Sequence, residues 1–297
     1  MSAAGEPTIL VTGVSGQVGF ELVRSLQGLG RIVALDRSGM DLADPARIRA
    51  VVRELRPTIV VNPAAYTAVD DAESNCAAAT SLNATAPRVL AEEAERLRAV
   101  LVHYSTDYVF DGTKPAPYVE EDAPNPLNVY GSTKLDGELA IEQSGAAHLI
   151  FRTSWVYGLR GRNFLRTMQR LATERSRLSI VSDQVGAPTW ARTISDITAH
   201  VIAAGLTAVR DDGEWWRQRS GVYHLCAGGA TSWCDFARAI FQYGSSIPDV
   251  VPISSEDYPT RARRPKNSRM STDKLTRTFG LRPPQWQDAL RLCIGQG

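Results

Sequence analysis

The first half of the chain alternates short apolar runs with stretches in which apolar side chains recur at helical spacing. The runs are rich in β-branched residues, and continuous runs of this kind are typical of parallel strands covered on both faces. We predict strands at 8–12, 31–36, 58–62, 99–105 and 148–153. We predict helices at 18–29, 45–55 and 86–97. This alternation predicts an α/β fold with a doubly wound parallel sheet of the Rossmann type.

Composition narrows the class of protein. The 297 residues include 33 Lys+Arg and 32 Asp+Glu, a balance that argues against a general nucleic-acid binder or a polybasic membrane binder. The start of the chain lacks the layout of a signal peptide, and no apolar run has the length of a bilayer span, so we expect a cytoplasmic protein. The four cysteines form no C-x-x-C pair, and we expect buried free thiols in a reducing compartment.

Three glycines follow the first predicted strand. Gly13, Gly16 and Gly19 are spaced three residues apart, between this strand and the next helix. Such a turn lets the backbone approach a pyrophosphate and offers the N–H groups of a helix N-terminus. Asp36, at the end of the second strand, can accept from ribose hydroxyls, which favours NAD; Arg37 can pair with a 2′-phosphate, which favours NADP, or can be a solvated charge. The sequence thus predicts a dinucleotide site and leaves NADH and NADPH open.

A tyrosine and a lysine, Tyr130 and Lys134, lie four residues apart. On a helix the two side chains share one face. A nearby ammonium, together with a positive nicotinamide ring, is expected to lower the pKa of a phenol from its ordinary value of about 10. A phenol tuned in this way can give a proton to a carbonyl oxygen as hydride reaches the carbon. Taken alone, the pair is better explained as an ordinary exposed helix contact, but its position after the glycine turn and the polar strand end favours the catalytic interpretation.

The fourth predicted strand ends in polar residues, and ligands bind at the carboxyl ends of parallel strands. Ser105 or Thr106 can hydrogen-bond a substrate oxygen and orient it. Asp107 is either a second substrate contact or a residue that caps a turn. His103, in the same apolar strand, is expected to be a core residue whose polar atoms are satisfied. Asn83 is either structural or organises the site through a water molecule.

Together these residues resemble the extended short-chain dehydrogenase/reductase family, with its G-x-x-G-x-x-G turn, strand-end Ser/Thr and Y-x-x-x-K. Further motifs, spread over nearly the whole chain, resemble the dTDP-4-dehydrorhamnose reductase family. These motifs are NPAAYTAVDDAE, STDYVFDG, PLNVYGSTKLDGE, FRTSWVYG, DQVGAPT and RPKNSRM. The resemblance implies that NADH or NADPH reduces C4 of a 4-keto-6-deoxyhexose carried on dTDP, giving dTDP-L-rhamnose. It also implies a homodimer.

The resemblance further implies a role for each matching position. Residues implied to hold the pyrophosphate, the adenosine end and the rest of the cofactor are Gly13, Gly16, Gln17, Val18, Asp36, Asp41, Leu42, Ala64, Ala65, Tyr66 and Tyr104. Thr106 and Asp107 would touch the sugar, Tyr130 would donate the proton, and Lys134 would grip the nicotinamide ribose. Trp155 would pack against the sugar nucleotide, unless it is an ordinary core tryptophan.

The pattern loosens beyond about residue 155, where proline, glycine and arginine become frequent. We predict a dinucleotide-binding domain over 1–155, to which segments at about 186–225 return. A smaller substrate-binding lobe is predicted over 156–185 and 226–297. The lobe must bind the dTDP diphosphate, and Arg264, which opens the family's R-P-x-N-S pattern, is the first candidate; it can also belong to a solvated basic loop.

Metal ligands are sparse. No H-x-x-x-H or comparable spacing occurs, so a catalytic transition metal is not expected. Some relatives are expected to hold Mg²⁺ at a subunit contact through acidic side chains. Glu21 lies at one such position, whereas Arg192 lies where another acid is expected. Magnesium is therefore left as a possible second cofactor.

Two other functions stay open at this point. One is an epimerase, or a reductase of another 4-keto sugar. The other is a noncatalytic regulatory subunit, as some proteins that resemble this reductase are, although the intact Tyr130–Lys134 pair and Thr106 argue against it. Dehydratases of the same superfamily carry Glu after the Asp of the strand end, and this chain has Tyr108 there. Its absence favours plain ketone reduction.

Overall fold

A computed structural model describes residues 6–208, 213–244 and 246–295. The strands are β1 Thr8–Val11, β2 Arg31–Ala34, β3 Ile59–Asn62, β4 Val100–Thr106, β5 His148–Thr153, β6 Val156–Tyr157, β7 Arg177–Val181, β8 Val185–Gly186, β9 Thr189–Trp190, β10 Gly221–His224, β11 Thr231–Ser232 and β12 Asp249–Ile253. The helices are α1 Gln17–Ser25, α2 Pro45–Leu55, α3 Val69–Ala72, α4 Cys76–Thr80, α5 Ala86–Leu97, α6 Val129–Gln143, α7 Phe164–Glu174, α8 Ala191–Thr207, α9 Glu214–Gln218, α10 Trp233–Phe241, α11 Asp273–Phe279 and α12 Trp286–Ile294.

The predicted α/β fold is confirmed. Six parallel strands form one sheet in the order β10-β5-β4-β3-β1-β2. Two predicted boundaries are wrong by two residues or more. The second strand ends at Ala34, so Asp36 lies beyond it. The first helix ends at Ser25 because Gly28 and Gly30 then take φ values of 86° and 147°, which no helix allows.

Alternation along each strand divides the core between the two faces of the sheet. Ile9 and Val11 pack with α1 and α8 on one face, whereas Leu10 packs with α2 and α5 on the other. Because β2 and β3 flank β1 on opposite sides, the connections that leave β1 and β3 separate and leave a crevice at their carboxyl ends.

A second core forms around the two-stranded parallel sheet of β7 and β12. It is built from α7, α10 and α12, with Leu165, Phe236 and Leu290 fully or almost fully buried. Helix α8 and strand β10, which follow in sequence part of this core, instead pack on the large sheet. The division of the chain into two domains at the boundaries given above stays a prediction.

The structure also bears on the expected state of the cysteines and on membrane-spanning helices. The four cysteines are free thiols, but Cys76 is exposed, so the expectation that all four are buried is wrong. Across the described ranges, no helix combines the length and the apolarity that crossing a bilayer requires.

Candidate active site

A cleft of about 860 Å³ opens at the carboxyl ends of β1, β3 and β4. It is lined by every residue predicted to bind the cofactor: Gly13, Gly16, Gln17, Val18, Gly19, Asp36, Arg37, Asp41, Leu42, Ala64, Ala65, Tyr66, Tyr104, Tyr130 and Lys134. It is also lined by three of the four predicted substrate contacts: Thr106, Asp107 and Trp155. The fold therefore gathers residues more than 140 positions apart in one place, while their individual roles stay predictions.

The glycine turn has the geometry that a dinucleotide requires. Gly13 adopts a φ of 55°, and a Cβ on Gly19 would lie 2.3 Å from the Gly13 carbonyl oxygen, so both positions exclude larger residues. Helix α1 begins after Gly16 with no side-chain cap, which leaves the N–H groups of its first turn available to an anion. The residues present fit the pyrophosphate of a nicotinamide dinucleotide.

The adenosine end of the cleft contains both groups that were expected to choose the cofactor. Asp36 accepts three hydrogen bonds at Oδ1, from the N–H and hydroxyl of Ser38 and from the N–H of Gly39. These bonds fix the carboxylate through Oδ1 and do not involve Oδ2. The Arg37 side chain is 84% exposed and lies 3.4 Å from Asp41. Charged groups suited to NAD and to NADP are thus both present.

Helix α6 places Tyr130 and Lys134 on its cleft-facing side. Asn128 caps the helix by accepting from the N–H of Gly131 at 2.8 Å, and its amide donates to the carbonyl of Arg263 at 2.7 Å. A Cβ on Gly131 would lie 2.2 Å from the Tyr108 carbonyl oxygen, so only glycine lets the helix approach the end of β4. The Tyr108 ring meets the Tyr130 ring edge to face, with centroids 5.5 Å apart, and fixes its orientation.

The protonation of Tyr130 is set mainly by burial. Burial raises the pKa of the phenol to about 12, and the Thr106 hydroxyl opposes this shift to a smaller extent. The predicted lowering of this pKa by Lys134 together with a positive nicotinamide ring stays a prediction, since desolvation dominates among the protein groups alone. A phenol with this pKa is protonated at neutral pH, as a proton donor must be.

Lys134 is held by the strand behind the cleft. Its side chain is 1% exposed, and Nζ donates to the Tyr104 carbonyl oxygen at 2.6 Å and lies 3.1 Å from Nε2 of His103. Burial lowers the pKa of Lys134 to about 8, which Glu138 opposes. Tyr104 contributes its carbonyl here, whereas its phenol bonds Thr198 of α8 at 2.8 Å.

Asp107 is buried at the end of β4. Its Oδ1 accepts from the Thr106 hydroxyl at 3.1 Å, while Oδ2 is buried with no hydrogen-bond partner among the described residues. Thr106 accepts from the N–H of Tyr108 and so caps the turn that follows, which removes the turn-capping alternative for the Asp107 side chain. Burial raises the pKa of Asp107 to about 6. The carboxyl is suited to a polar ligand atom that would relieve this desolvation.

We expect Asp107→Asn to stabilise the protein at neutral pH. Because the native pKa of about 6 exceeds the ordinary 3.8, the native state binds more protons between these values, so wild-type stability falls as pH rises through them. The loss amounts to about 3 kcal/mol. Urea unfolding at pH 4 and pH 7.5 should show that the free energy of unfolding of the variant, relative to that of wild type, increases as pH rises.

Asp111→Asn is the control for this prediction. Hydrogen bonds from Thr113, Asn125 and Tyr118 hold the pKa of Asp111 below its ordinary value, so its carboxylate stabilises the native state at neutral pH. The control variant should be less stable than wild type by nearly the same amount at pH 4 and at pH 7.5, because this contribution is present above the ordinary pKa of 3.8 and is lost only below it. An equal shift of the same sign in both variants would contradict the assignment for Asp107.

Trp155 is not an ordinary core tryptophan. It is half-buried, lines the cleft and has a φ of 49°, a strained value for a bulky residue. Its indole stacks on that of Trp233 with ring centroids 3.5 Å apart, and a Cβ on Gly186 would lie 2.6 Å from its Cε2 atom. The ring is therefore clamped between Trp233 and Gly186, with the cleft on its remaining side.

Arg264 is the one predicted site residue that does not line the cleft. Its guanidinium binds Asp70 through two hydrogen bonds, of 3.1 and 2.7 Å, and also donates to the Ala262 carbonyl. Asp70 lies in the NPAAYTAVDDAE motif, so the two motifs meet in space. The expected presentation of this fork to a diphosphate is not seen, because a carboxylate already occupies its Nη1–Nη2 edge.

Sequence reasoning missed several cleft residues. Arg162 and Asn163 line the cleft from the loop before α7, and Asn163 donates to Oε1 of Gln17 at 2.8 Å. Asn83 sits in a π-helical turn, Ser81–Thr85, where it pairs with both backbone groups of Tyr66 and with Thr133. It thereby ties the loop after β3 to helix α6, and its structural alternative holds. Neither Arg162 nor Asn163 belongs to a local sequence pattern that would have identified it as a cleft residue.

The expected magnesium ligands pair differently. The Arg192 guanidinium lies 4.0 Å from Oε2 of Glu21 and 3.5 Å from Asp196. Within the residues that the structure describes, no group of three or more His, Cys, Asp or Glu side chains is arranged to hold a metal ion. The residues present around Glu21 do not fit a magnesium site.

Comparison with known proteins gives one family. A model of the RmlD substrate binding domain matches residues 7–297. The chain is 50% identical over 294 residues to dTDP-4-dehydrorhamnose reductase of Burkholderia thailandensis, covering 96% of this chain and 97% of that protein. It is 46% identical over 289 residues to dTDP-4-dehydrorhamnose reductase of Salmonella typhimurium, covering 94% of each.

A solved structure agrees with this match. Crystalline dTDP-4-dehydrorhamnose reductase from Bacillus anthracis, in complex with NADP, has a TM-score of 0.90 and 34% identity, covering 98% of this chain and 100% of that chain. Sequence and fold thus lead to the same relatives over nearly the full length. The chain belongs to the RmlD substrate binding domain family.

Proposed function

We propose that this protein reduces dTDP-4-dehydrorhamnose (dTDP-4-dehydro-6-deoxy-L-mannose) to dTDP-L-rhamnose with NADPH or NADH, and that Tyr130 donates the proton. The observation that carries the proposal is the cleft, in which Thr106, Tyr130 and Lys134 lie beside an uncapped glycine turn. It is supported by the reductase of 50% identity over 96% of the chain and by the NADP complex of the Bacillus anthracis relative.

The polar groups of the cleft suit a ketone. When bound, the reduced nicotinamide supplies a hydride to C4. The hydroxyls of Thr106 and Tyr130 both line the cleft, and we propose that both are directed at the C4 carbonyl oxygen when the substrate is bound. The phenol gives its proton to this oxygen as negative charge develops there. Lys134, the only ammonium that lines the described cleft, grips the nicotinamide ribose and supplies positive charge beside the phenol.

The sugar nucleotide is proposed to lie between the end of β4 and Trp155. Asp107 binds a sugar hydroxyl, and the indole packs against the ring of the sugar. We keep Arg264 as the predicted partner of the dTDP diphosphate, with phosphate oxygens taking over hydrogen bonds that Asp70 accepts in this structure. The protein is further proposed to act in the cytoplasm as a homodimer and not to bind nucleic acid, which its balance of 33 basic and 32 acidic residues supports.

The proposed function is tested by mixing the purified protein with dTDP-4-dehydrorhamnose and either NADPH or NADH. We expect oxidation of the reduced cofactor and a product whose C4 stereochemistry, by NMR, is that of dTDP-L-rhamnose. A C4 epimer would identify a reductase of another product. No cofactor oxidation across conditions, with retained dinucleotide binding, would favour the noncatalytic subunit.

A further inference from the structure

The Lys134 ammonium has three N–H bonds, and strand β4 takes two of them. The Tyr104 carbonyl oxygen accepts one at 2.6 Å, and Nε2 of His103 lies 3.1 Å from Nζ. Because Lys134 also lines the cleft, the third N–H is the one that can reach a ligand there. The direction of this remaining bond depends on the two acceptors behind it.

His103 is fully buried and belongs to a chain of polar side chains across three strands. Its Nδ1 lies 3.1 Å from the amide atom of Asn62 that is placed as Nδ2, and the Asn62 atom placed as Oδ1 accepts from the Thr12 hydroxyl at 2.6 Å. Asn62 and Thr12 are themselves 0% and 1% exposed. Thr12 directly precedes Gly13. The series of buried polar side chains therefore runs from Lys134 to the start of the glycine turn without contact with water.

We propose that His103 is a positioning residue: its neutral imidazole, fixed as the Nδ1–H tautomer by Asn62, accepts from Lys134 at Nε2 and directs the third ammonium N–H into the cleft. The proposal rests on the proposed function, since it assigns the support of the lysine that serves that reaction. His103 is a core residue whose ring nitrogens have polar partners, as predicted. The new element is that one of these partners, Lys134, lines the cleft.

The tautomer follows from the inventory of donors and acceptors. An ammonium has no acceptor, so Nε2 must be without hydrogen while Lys134 is charged, and Nδ1 then carries the proton. Asn62 must present its amide oxygen to Nδ1, which a half-turn of its amide allows, and its nitrogen then faces the Thr12 hydroxyl. Burial and the neighbouring Lys134 hold the pKa of His103 well below its ordinary value, which keeps the ring neutral.

Two variants separate positioning from packing. In His103→Gln, the terminal amide reaches the place of Nε2 and can accept from Lys134. In His103→Asn, the shorter amide reaches only the place of Nδ1, so the contact with Asn62 is retained and the contact with Lys134 is lost. Both variants bury one neutral amide in the same cavity. If His103 had a purely structural role, the two variants should therefore have similar activity.

We expect His103→Asn to lower kcat and dinucleotide affinity, together by roughly ten- to a hundredfold, as for loss of one hydrogen bond to a charged group. KM for the sugar nucleotide should not change. His103→Gln should recover to within about threefold of wild type. Equal impairment of the two variants, or an unimpaired His103→Asn, would overturn the proposal.

Imidazole ¹⁵N NMR at pH 7 provides a second measurement, in which the tautomer is determined in the wild-type protein itself. The His103 signals are assigned by their absence from the His103→Gln spectrum. The Nδ1–H tautomer is expected, and the Nε2–H tautomer would refute the proposal. If wild type binds dinucleotide but does not turn over the sugar nucleotide, the proposed function fails, while the tautomer and the effect of each variant on dinucleotide binding still decide the role of His103.

Discussion

Replacing Tyr130 by phenylalanine is expected to lower kcat by about 10²- to 10⁴-fold, the range for loss of a positioned general acid. The substitution removes one hydroxyl and keeps the ring that packs edge to face on Tyr108. The cofactor contacts predicted for the glycine turn and Lys134 are untouched, so the dissociation constant for NADPH should change little. Steady-state oxidation of NADPH and direct titration of NADPH binding measure the two quantities.

The control for this prediction is Tyr243→Phe, which removes the same hydroxyl from a side chain that lies outside the cleft and is 48% exposed. We expect wild-type kinetics in the control. Retention of more than about a tenth of wild-type kcat in Tyr130→Phe would exclude the phenol as the main proton donor. The acid would then have to be sought in Asp107, whose raised pKa of about 6 makes it the nearest alternative.

Replacing Glu138 by glutamine is expected to cost about 3–5 kcal/mol of the free energy of unfolding, as for a broken buried ion pair. Arg152 on β5 and Glu138 on α6 are 4% and 2% exposed. Nε and Nη2 of the guanidinium donate to the carboxylate at 3.0 and 2.6 Å. Glutamine keeps the volume but leaves the guanidinium charge buried without an anion. Urea unfolding at neutral pH measures the loss.

Glu174→Gln is the matched control, since Arg170 and Glu174 form an ion pair on the helix surface with side chains 61% and 46% exposed. A change within about 0.5 kcal/mol is expected there. A loss below about 1 kcal/mol in Glu138→Gln would contradict the view that this pair anchors the helix. Because Glu138 also opposes the lowering of the Lys134 pKa, the variant should depress that pKa further.

The two predictions meet on one face of α6. Tyr130, Lys134 and Glu138 follow one another at four-residue steps, so the carboxylate of the buried ion pair and the two residues proposed to serve the reaction share a side. Burial on this side is what raises the pKa of Tyr130 and lowers that of Lys134. Desolvation on this side would destabilise the protein if the Arg152 charge were left unpaired. The same desolvation keeps the Tyr130 phenol protonated, as a proton donor must be.

The sequence by itself determined the parts of this protein that depend on local pattern. Apolar runs and helical periodicity predicted the strands of the large sheet, except β10, and helices α1, α2 and α5, because burial of each face imposes its period on the chain. Residues of the cleft were predicted from the glycine spacing, the strand-end Thr106 and the Tyr130–Lys134 step. Each of these patterns depends on the backbone geometry of a short segment. The family motifs gave the function that we propose.

Tertiary structure alone decided what depends on partners distant in sequence. Arg264 pairs with Asp70, 194 positions away, and so does not line the cleft. Trp155 stacks on Trp233, and Nε2 of His103 lies 3.1 Å from Nζ of Lys134, 31 positions away. The burial that raises the Tyr130 pKa depends on tertiary packing for the same reason. Charge spacing can be read along a helix, whereas desolvation is set by everything that packs around the side chain.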